Sequence, residues 1–239
     1  AQWGAAYHKS LRDLPVRSQV SPGQVSESIP ASAPEEPEDV SQIMADFDQF
    51  ILPGMTHWQH PRFFAYFPSN AAPPSILADF LSATLSSQGI LWQMSPAATE
   101  LETSMMEWMR DAVGLPSEFS GVIQDSASTA TLAAVLTMRE LVLNWKGNKD
   151  GLSGHNRLRI YVSGEAHSSV EKAVWIAGIG SENIVRLPVI GPMRGTDPGA
   201  LKVAVESDIA AGFIPTGVVG VIGGTGIGAC DDLDRMIAV

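Results

Sequence analysis

The chain has 239 residues, of which 45% are hydrophobic and 17% are charged. This composition can supply the core of one large domain or two small ones. The net charge of −11, without basic clusters, argues against nucleic acid or an anionic membrane as a partner. The single cysteine, Cys230, excludes an internal disulfide and predicts a cytoplasmic location, and no apolar run is long enough to span a bilayer.

The N-terminal third opens with a proline-rich segment. Five prolines between residues 15 and 37 exclude a helix interior and predict an extended arm that lies against another surface, with a disordered tail as the alternative. Apolar residues at helical spacing then predict a helix that ends at Leu52-Pro53-Gly54.

Residues 57–69 are aromatic and interrupted by proline. Such a segment is typical of an interface or a pocket, with plain core packing as the alternative. His57 and His60 lie in it but lack other ligand-type neighbours, so no metal site is predicted.

Two helices are predicted next, over residues 74–87 and from Ser95-Pro96 to Gly114. From residue 121 strands and helices alternate. The predicted strands are 121–124, 158–162, 184–189 and 218–222. The predicted helices are 128–145, 168–178 with a Ser168–Glu171 capping box, 197–211 with Asp197 as cap, and one that begins in 231–239. This order predicts an α/β fold with a mainly parallel sheet, in a unit that needs more polypeptide to cover its apolar surface.

Small hydroxyl residues mark the first candidate site, at Ser126, Ala127 and Ser128, where a predicted strand passes into a helix. Free N–H groups at a helix N-terminus bind anions such as phosphate. An ordinary helix cap is the alternative, and Asp125 would repel a phosphate unless its side chain points away.

His167 is the second candidate, because it follows a predicted strand and precedes a helix. Ligands of open α/β sheets bind beyond the carboxyl ends of the strands, where a histidine can stack on a ring or move a proton. A histidine bonded to nearby backbone is the alternative. The third candidate, Gly223–Gly228, lacks the G-x-G-x-x-G spacing of dinucleotide sites, so we interpret it as a flexible loop close to a ligand.

Several segments together resemble the group II pyridoxal-phosphate-dependent amino-acid decarboxylases, in particular the aromatic-L-amino-acid decarboxylases. The resemblance runs from about residue 12 to 235 and rests on residues 53–58, 60–68, 95–102, 121–124, 126–128 and 166–173. It implies fold-type I architecture and an intertwined homodimer. Residues 1–70 would be an N-terminal arm and helical dimerisation segment, and residues 71–239 the first part of the large domain that binds pyridoxal 5′-phosphate.

The resemblance also implies roles for individual residues. Ser126, Ala127 and Ser128 match the phosphate-binding turn, and His167 matches the catalytic histidine that stacks on the pyridine ring. Thr225 matches a residue near the cofactor, although Gly226 stands where many members have a second threonine.

Substrate-pocket positions of the family correspond to two short segments of this chain: Tyr66, Phe67, Pro68, Ser69, Ile90 and Trp92. Ile90 stands where the animal enzymes have phenylalanine, which weakens any assignment of the precise substrate.

The implied reaction is decarboxylation of an L-amino acid, with an aromatic one as the leading interpretation. An acidic or aliphatic substrate, an aldehyde-forming reaction and a non-catalytic assembly subunit are the alternatives. His167 favours simple decarboxylation, because aldehyde-forming relatives often lack this histidine. The family's Schiff-base lysine lies in a motif like Asn-Pro-His-Lys that is absent here, which predicts a second chain or C-terminal half carrying it.

Overall fold

The computed structural model describes residues 2–67, 71–155 and 157–239. These residues divide into two compact units, 1–86 and 87–239. The helices of the first unit are α1 (Gln2–Ser10), α2 (Gln24–Glu27), α3 (Val40–Asp46) and α4 (Pro73–Leu85). Helix α3 continues through a π turn, Phe47–Ile51, into a 3-10 turn, Leu52–Gly54, so the helix predicted here ends at the expected residue.

The proline-rich arm of the first unit is mostly irregular, with α2 as its single helical turn. Two hydrogen bonds hold its early part in place. Val16 O accepts from the amide of His57 at 3.0 Å, and Ser18 Oγ donates to Pro53 O at 3.2 Å. Residues 21–40 are exposed apart from Val25, which is half-buried. The early part of the arm therefore lies against residues 53–57, as the prediction of a packed arm requires.

A small aromatic cluster anchors α1 in the first unit. Trp3 stacks on Tyr7 with 5.4 Å between ring centroids, and it also meets Phe47 edge-on at 5.2 Å. The hydroxyl of Tyr7 lies 2.8 Å from Nδ1 of His57, which is only 3% exposed. Burial raises the pKa of Tyr7 and lowers the pKa of His57, so this bond joins two neutral groups.

The second unit carries the alternating helices and strands predicted in this part of the chain, apart from the first predicted strand. Its helices are α5 (Pro96–Ala112), α6 (Ala127–Val142), α7 (Gly147–Asp150), α8 (Ser168–Ile176), α9 (Pro198–Ala210) and α10 (Leu233–Ile237). Its strands are β1 (Leu158–Ser163), β2 (Ile184–Leu187), β3 (Val189–Ile190), β4 (Gly195–Thr196) and β5 (Ile214–Val219).

Strands β2, β1 and β5 form a parallel sheet in that order, which confirms the predicted α/β class. Both faces of its central strand are covered, as parallel sheets require. Alternate residues Leu158, Ile160 and Val162 pack against α6 and α8. Tyr161 points to the other face, against a cluster from α9 and α10. The core of the unit therefore sits on the two sides of β1.

Three local predictions are wrong. Residues 121–124 form no strand; they are exposed, and the amide of Ile123 donates to Glu102 rather than to a neighbouring strand. Strand β5 begins at Ile214 rather than at 218, because Pro215 and Gly217 hide its start in the sequence. Helix α8 is capped by His167 and not by Ser168.

Within the residues that the structure describes, no helix is long and apolar enough to cross a membrane. The same residues contain no group of three or more His, Cys, Asp or Glu side chains arranged to hold a metal ion.

Candidate active site

Three segments lie at one edge of the sheet in the second unit: two loops that follow strands and the N-terminus of α6. Strands β1 and β5 are parallel neighbours, so residues 163–167 and 220–228 both follow carboxyl ends. Helices α6 and α8 pack side by side with their C-terminal ends joined, since Arg139 Nη1 donates to Ala177 O at 2.7 Å. Helix α8 starts at the carboxyl edge, so the N-terminus of α6 lies there too. This is the edge at which open α/β sheets bind ligands.

The N-terminus of α6 is organised by Ser126. Its Oγ accepts from the amide of Thr129 at 3.3 Å, and its own amide donates to the Thr129 hydroxyl at 3.2 Å, which completes a capping box. The amides of Ala127 and Ser128 find no acceptor in the part of the chain that the structure describes. Both residues are exposed, so two N–H groups and one hydroxyl face outward at the positive end of a 16-residue helix.

Asp125 precedes this turn and bonds back to it, because its carboxylate accepts from the hydroxyl of Thr129. The bond keeps a negative charge beside the helix N-terminus. That charge stabilises the helix but opposes a second anion at the same place.

His167 is the N-cap of α8. Its Nδ1 accepts from the amide of Ser169 at 3.2 Å and lies 2.9 Å from the Ser169 hydroxyl. Because Nδ1 is an acceptor, the neutral ring carries its hydrogen on Nε2. The residue is exposed, so the ring is held at one edge while Nε2 remains accessible.

Thr225 occupies the tip of a closed loop after β5. An isolated bridge joins Ile222 to Cys230, and the amide of Gly224 donates to Ala229 O at 2.8 Å. Gly223 has φ +71° and Gly228 has φ +72°, a left-handed conformation that side chains disfavour. The loop leaves Thr225 exposed, and α10 begins only at Leu233.

The comparison with family models identifies the chain. Residues 22–239 match the pyridoxal-dependent decarboxylase conserved domain. The chain belongs to the pyridoxal-dependent decarboxylase family. The resemblance expected from the sequence is confirmed, and so is pyridoxal phosphate as the cofactor of the family.

Individual relatives agree with the family assignment. The chain is 39% identical over 239 residues to tryptophan decarboxylase 2 of Oryza sativa subsp. japonica, covering 97% of this chain and 47% of the relative. It is 41% identical over 236 residues to a phenylacetaldehyde synthase of Arabidopsis thaliana, covering 96% and 47%. The structure of Catharanthus roseus tryptophan decarboxylase in complex with L-tryptophan superimposes with a TM-score of 0.91 at 36% identity, covering 98% of this chain and 51% of that one. The chain thus spans about half the length of these decarboxylase relatives.

The residues present fit part of the family's cofactor. The open amides of α6 suit a phosphate, and the exposed ring of His167 suits a planar group. The lysines are Lys9, Lys146, Lys149, Lys172 and Lys202, none of which lies in residues 126–129, 163–167 or 220–228. The site therefore offers phosphate and ring contacts without a covalent anchor from these loops.

The predicted substrate-pocket residues are divided between the two units. Tyr66 and Phe67 belong to the first unit, where they are 74% and 62% exposed, and Trp58 stacks on Tyr66. In the second unit Ile90 is exposed, and the indole of Trp92 donates to Glu100 at 2.7 Å. Pro68 and Ser69 lie outside the described residues. The pocket role of all six residues stays a prediction.

Two acidic residues that the sequence analysis did not single out contact the loops of this edge. Glu165 lies between β1 and His167 and pairs with Arg194, and Asp231 binds two backbone amides next to the 222–230 loop. Their partners are between 10 and 35 residues away, so no local pattern could have revealed them.

Proposed function

We propose that this chain supplies the phosphate turn and the ring-stacking histidine of a pyridoxal-phosphate-dependent decarboxylase that acts on an aromatic L-amino acid. The observation that carries the proposal is the position of the open α6 N-terminus and of His167 at one sheet edge, in a member of this family. A second chain or C-terminal half would carry the lysine that holds the cofactor.

Each loop has a defined task in this proposal. The amides of Ala127 and Ser128, with the Ser128 hydroxyl, bind the phosphate, and the Thr225 hydroxyl contacts the cofactor from the neighbouring loop. His167 stacks on the pyridine ring with its Nε2–H available to the substrate side. The bound cofactor supplies an electron sink for the electron pair that remains when carbon dioxide leaves.

The aromatic substrate class is supported by relatives that act as decarboxylases of tryptophan and of tyrosine. We assign the pocket to Tyr66, Phe67, Pro68, Ser69, Ile90 and Trp92. We also propose a cytoplasmic homodimer, in which residues 1–70 pack on the partner. The exposed apolar side chains of the first unit support this, since such surfaces mark interfaces.

Aldehyde formation is a second candidate, because a phenylacetaldehyde synthase is 41% identical to this chain. That reaction consumes dioxygen and water and releases the aldehyde, carbon dioxide, ammonia and hydrogen peroxide, whereas simple decarboxylation releases only the amine and carbon dioxide. Assays of peroxide and of amine on the same sample discriminate the two, and His167 favours the amine.

The first test is intact mass spectrometry of the purified protein under denaturing conditions, with and without borohydride reduction. A lysine-bearing segment that gains the mass of a pyridoxyl group on reduction supports the proposal. Amine formation from tryptophan or tyrosine by the same sample then defines the reaction. A sample without a pyridoxyl adduct and without an imine absorbance band would contradict the decarboxylase and favour the non-catalytic assembly subunit.

A further inference from the structure

The short β3–β4 hairpin, residues 189–196, stands between two of the loops at the candidate site. Its strands pair Val189 with Thr196 and Ile190 with Gly195, and it follows directly from β2. The first loop, residues 163–167, ends at His167. The second loop, residues 220–231, carries Thr225. The hairpin makes specific polar contacts with both.

The contact with the first loop is an ion pair. Nε and Nη2 of Arg194, at the turn of the hairpin, both donate to one carboxylate oxygen of Glu165, two residues before His167. The Glu165 side chain is 24% exposed and Arg194 is 53% exposed. A further backbone bond, from the amide of Gly164 to Leu187 O at 3.0 Å, holds the start of this loop to the end of β2.

The backbone of Arg194 is unusual for an arginine. Its φ is +48°, in the left-handed region where glycine is favoured and other residues cost about 1 kcal/mol. Glycine would close the four-residue turn without that cost. The ion pair with Glu165 is a contact that a glycine at this position could not make.

The contact with the second loop centres on Asp231, which is 5% exposed. One carboxylate oxygen accepts from the amide of Thr196 at 2.7 Å, and the other accepts from the amide of Val221 at 2.6 Å. The backbones approach closely, since a Cβ on Gly195 would lie 2.7 Å from Cys230 O. In addition, the amide of Cys230 donates to Met193 O at 3.0 Å.

We infer that the hairpin is a strut that sets the position of the His167 loop relative to the Thr225 loop. Arg194, Glu165 and Asp231 are its positioning residues, because their contacts are with the hairpin and the two loops. The inference rests on the proposed function, because it assigns the strut to the same pyridoxal phosphate site. If the contact with either loop is removed, that loop and its cofactor-binding residue can move while the other loop stays in place.

The test uses the complete protein with its lysine-bearing segment. The variants are Arg194→Met and Glu165→Gln, singly and together. The matched controls are Lys202→Met and Glu206→Gln, which remove an exposed Lys–Glu ion pair within α9. Pyridoxal phosphate affinity, the circular dichroism of the bound cofactor and amide hydrogen exchange without cofactor are measured for each.

We expect each strut variant to weaken cofactor affinity about threefold to fivefold, with a changed dichroism band, and the double variant to be no worse than either single one. Hydrogen exchange should quicken in residues 163–167 and 228–231. The control pair should leave affinity, dichroism and exchange in those segments unchanged. Asp231→Asn, which turns an amide N–H toward a backbone N–H, should give a larger loss of affinity and faster exchange at Val221.

Two kinds of failure are distinguishable. If the wild-type protein binds the cofactor and the strut variants behave like the controls, the strut is refuted and the proposed function stands. If the wild-type protein binds no cofactor, the proposed function fails. Hydrogen exchange then tests the strut without the cofactor. An unchanged amide exchange rate in both loops of Arg194→Met overturns it.

Discussion

Helices α8 and α5 belong to the same unit but differ in what they bury. Helix α8 has Ser169, Val170, Ala173 and Val174 buried against the sheet and α6. Helix α5 is longer, with an apolar stripe of the same helical spacing, yet it has no buried residue. Leu101 and Trp108 on that stripe are 62% and 63% exposed. Amphipathic patterning therefore sets which face of a helix is apolar, whereas burial depends on whether a sheet lies beside it.

The contrast has a functional side. The covered helices α6 and α8 present the candidate cofactor contacts at their N-termini, where rigid positioning matters. The uncovered faces of α5, and of α4 in the other unit, are apolar surfaces of the kind that other polypeptide covers. This agrees with the proposed need for a lysine-bearing segment and a partner subunit.

The largest expected effect comes from the same substitution, leucine to alanine, made in a covered helix and in an uncovered helix. Leu201 on α9 is fully buried, and Leu101 on α5 is exposed. Leu201→Ala should lower the free energy of unfolding by about 2–5 kcal/mol, because it leaves a cavity in the core. Leu101→Ala should change it by less than about 0.5 kcal/mol in this chain. Urea denaturation measures both, and equal losses would show that α5 is packed like α9.

The second prediction concerns the covered helix α8 and its cap. His167→Ala removes both the ring and the N-cap, so we expect kcat of the complete enzyme to fall about 10²-fold and α8 to be destabilised by about 1 kcal/mol. His167→Asn is the control, because asparagine caps helices well but cannot stack like an imidazole. Steady-state kinetics and thermal unfolding are measured on both. If Asn restores kcat, the ring is not needed and His167 is only a cap.

Much of the second unit could be predicted because its patterns are local. Asp197-Pro198 marks the start of α9, and Gly178 marks the end of α8 with φ +75°. The alternation from residue 158 onward was sufficient to predict a parallel sheet. The ring contact could be proposed for the same reason, since His167 lies between β1 and α8. The phosphate contact could be proposed from the small hydroxyl residues at the start of α6, although the strand expected before them does not form.

What could not be predicted depends on distant partners. Residues 121–124 have strand-like composition but no neighbouring strand to pair with among the described residues, so they stay irregular. Capping by His167 instead of Ser168 depends on the orientation of one ring. Asp231 has no distinctive sequence context. Its role depends on the amide of Thr196, 35 residues away, which donates to its carboxylate.

A smaller effect is expected at the α6 terminus. Asp125→Asn removes the negative charge beside the phosphate turn while keeping an acceptor for Thr129. We expect the affinity for pyridoxal phosphate to rise about threefold, because one opposing charge is removed from the helix N-terminus. Asp150→Asn, an exposed acid on α7, is the control. Titration at two salt concentrations measures the effect, and an affinity that falls would mean that Asp125 helps to bind the cofactor.

The smallest expected effect is a pH dependence of stability that arises in the first unit. His57 is one of the few buried residues there. Burial, and then the neighbouring His60, lowers the pKa of His57 in the folded chain. As pH falls below the ordinary histidine pKa of about 6.5, the unfolded chain takes up a proton before the folded one does. The stability that neutral His57 contributes is therefore present above that pH and lost below it, with a slope of at most about 1.4 kcal/mol per pH unit.

His57→Gln should flatten this slope, and His8→Gln, at an exposed histidine of α1, should leave it unchanged. Urea denaturation at pH 7.5, 6.5 and 5.5 measures the slopes of the three proteins. Tyr7 provides an independent check, because Tyr7→Phe removes the hydroxyl that lies 2.8 Å from Nδ1 of His57 but leaves the ring that stacks on Trp3. If the wild-type and His57→Gln slopes coincide, His57 is hydrated in the folded state and its burial does not contribute to the stability of the first unit.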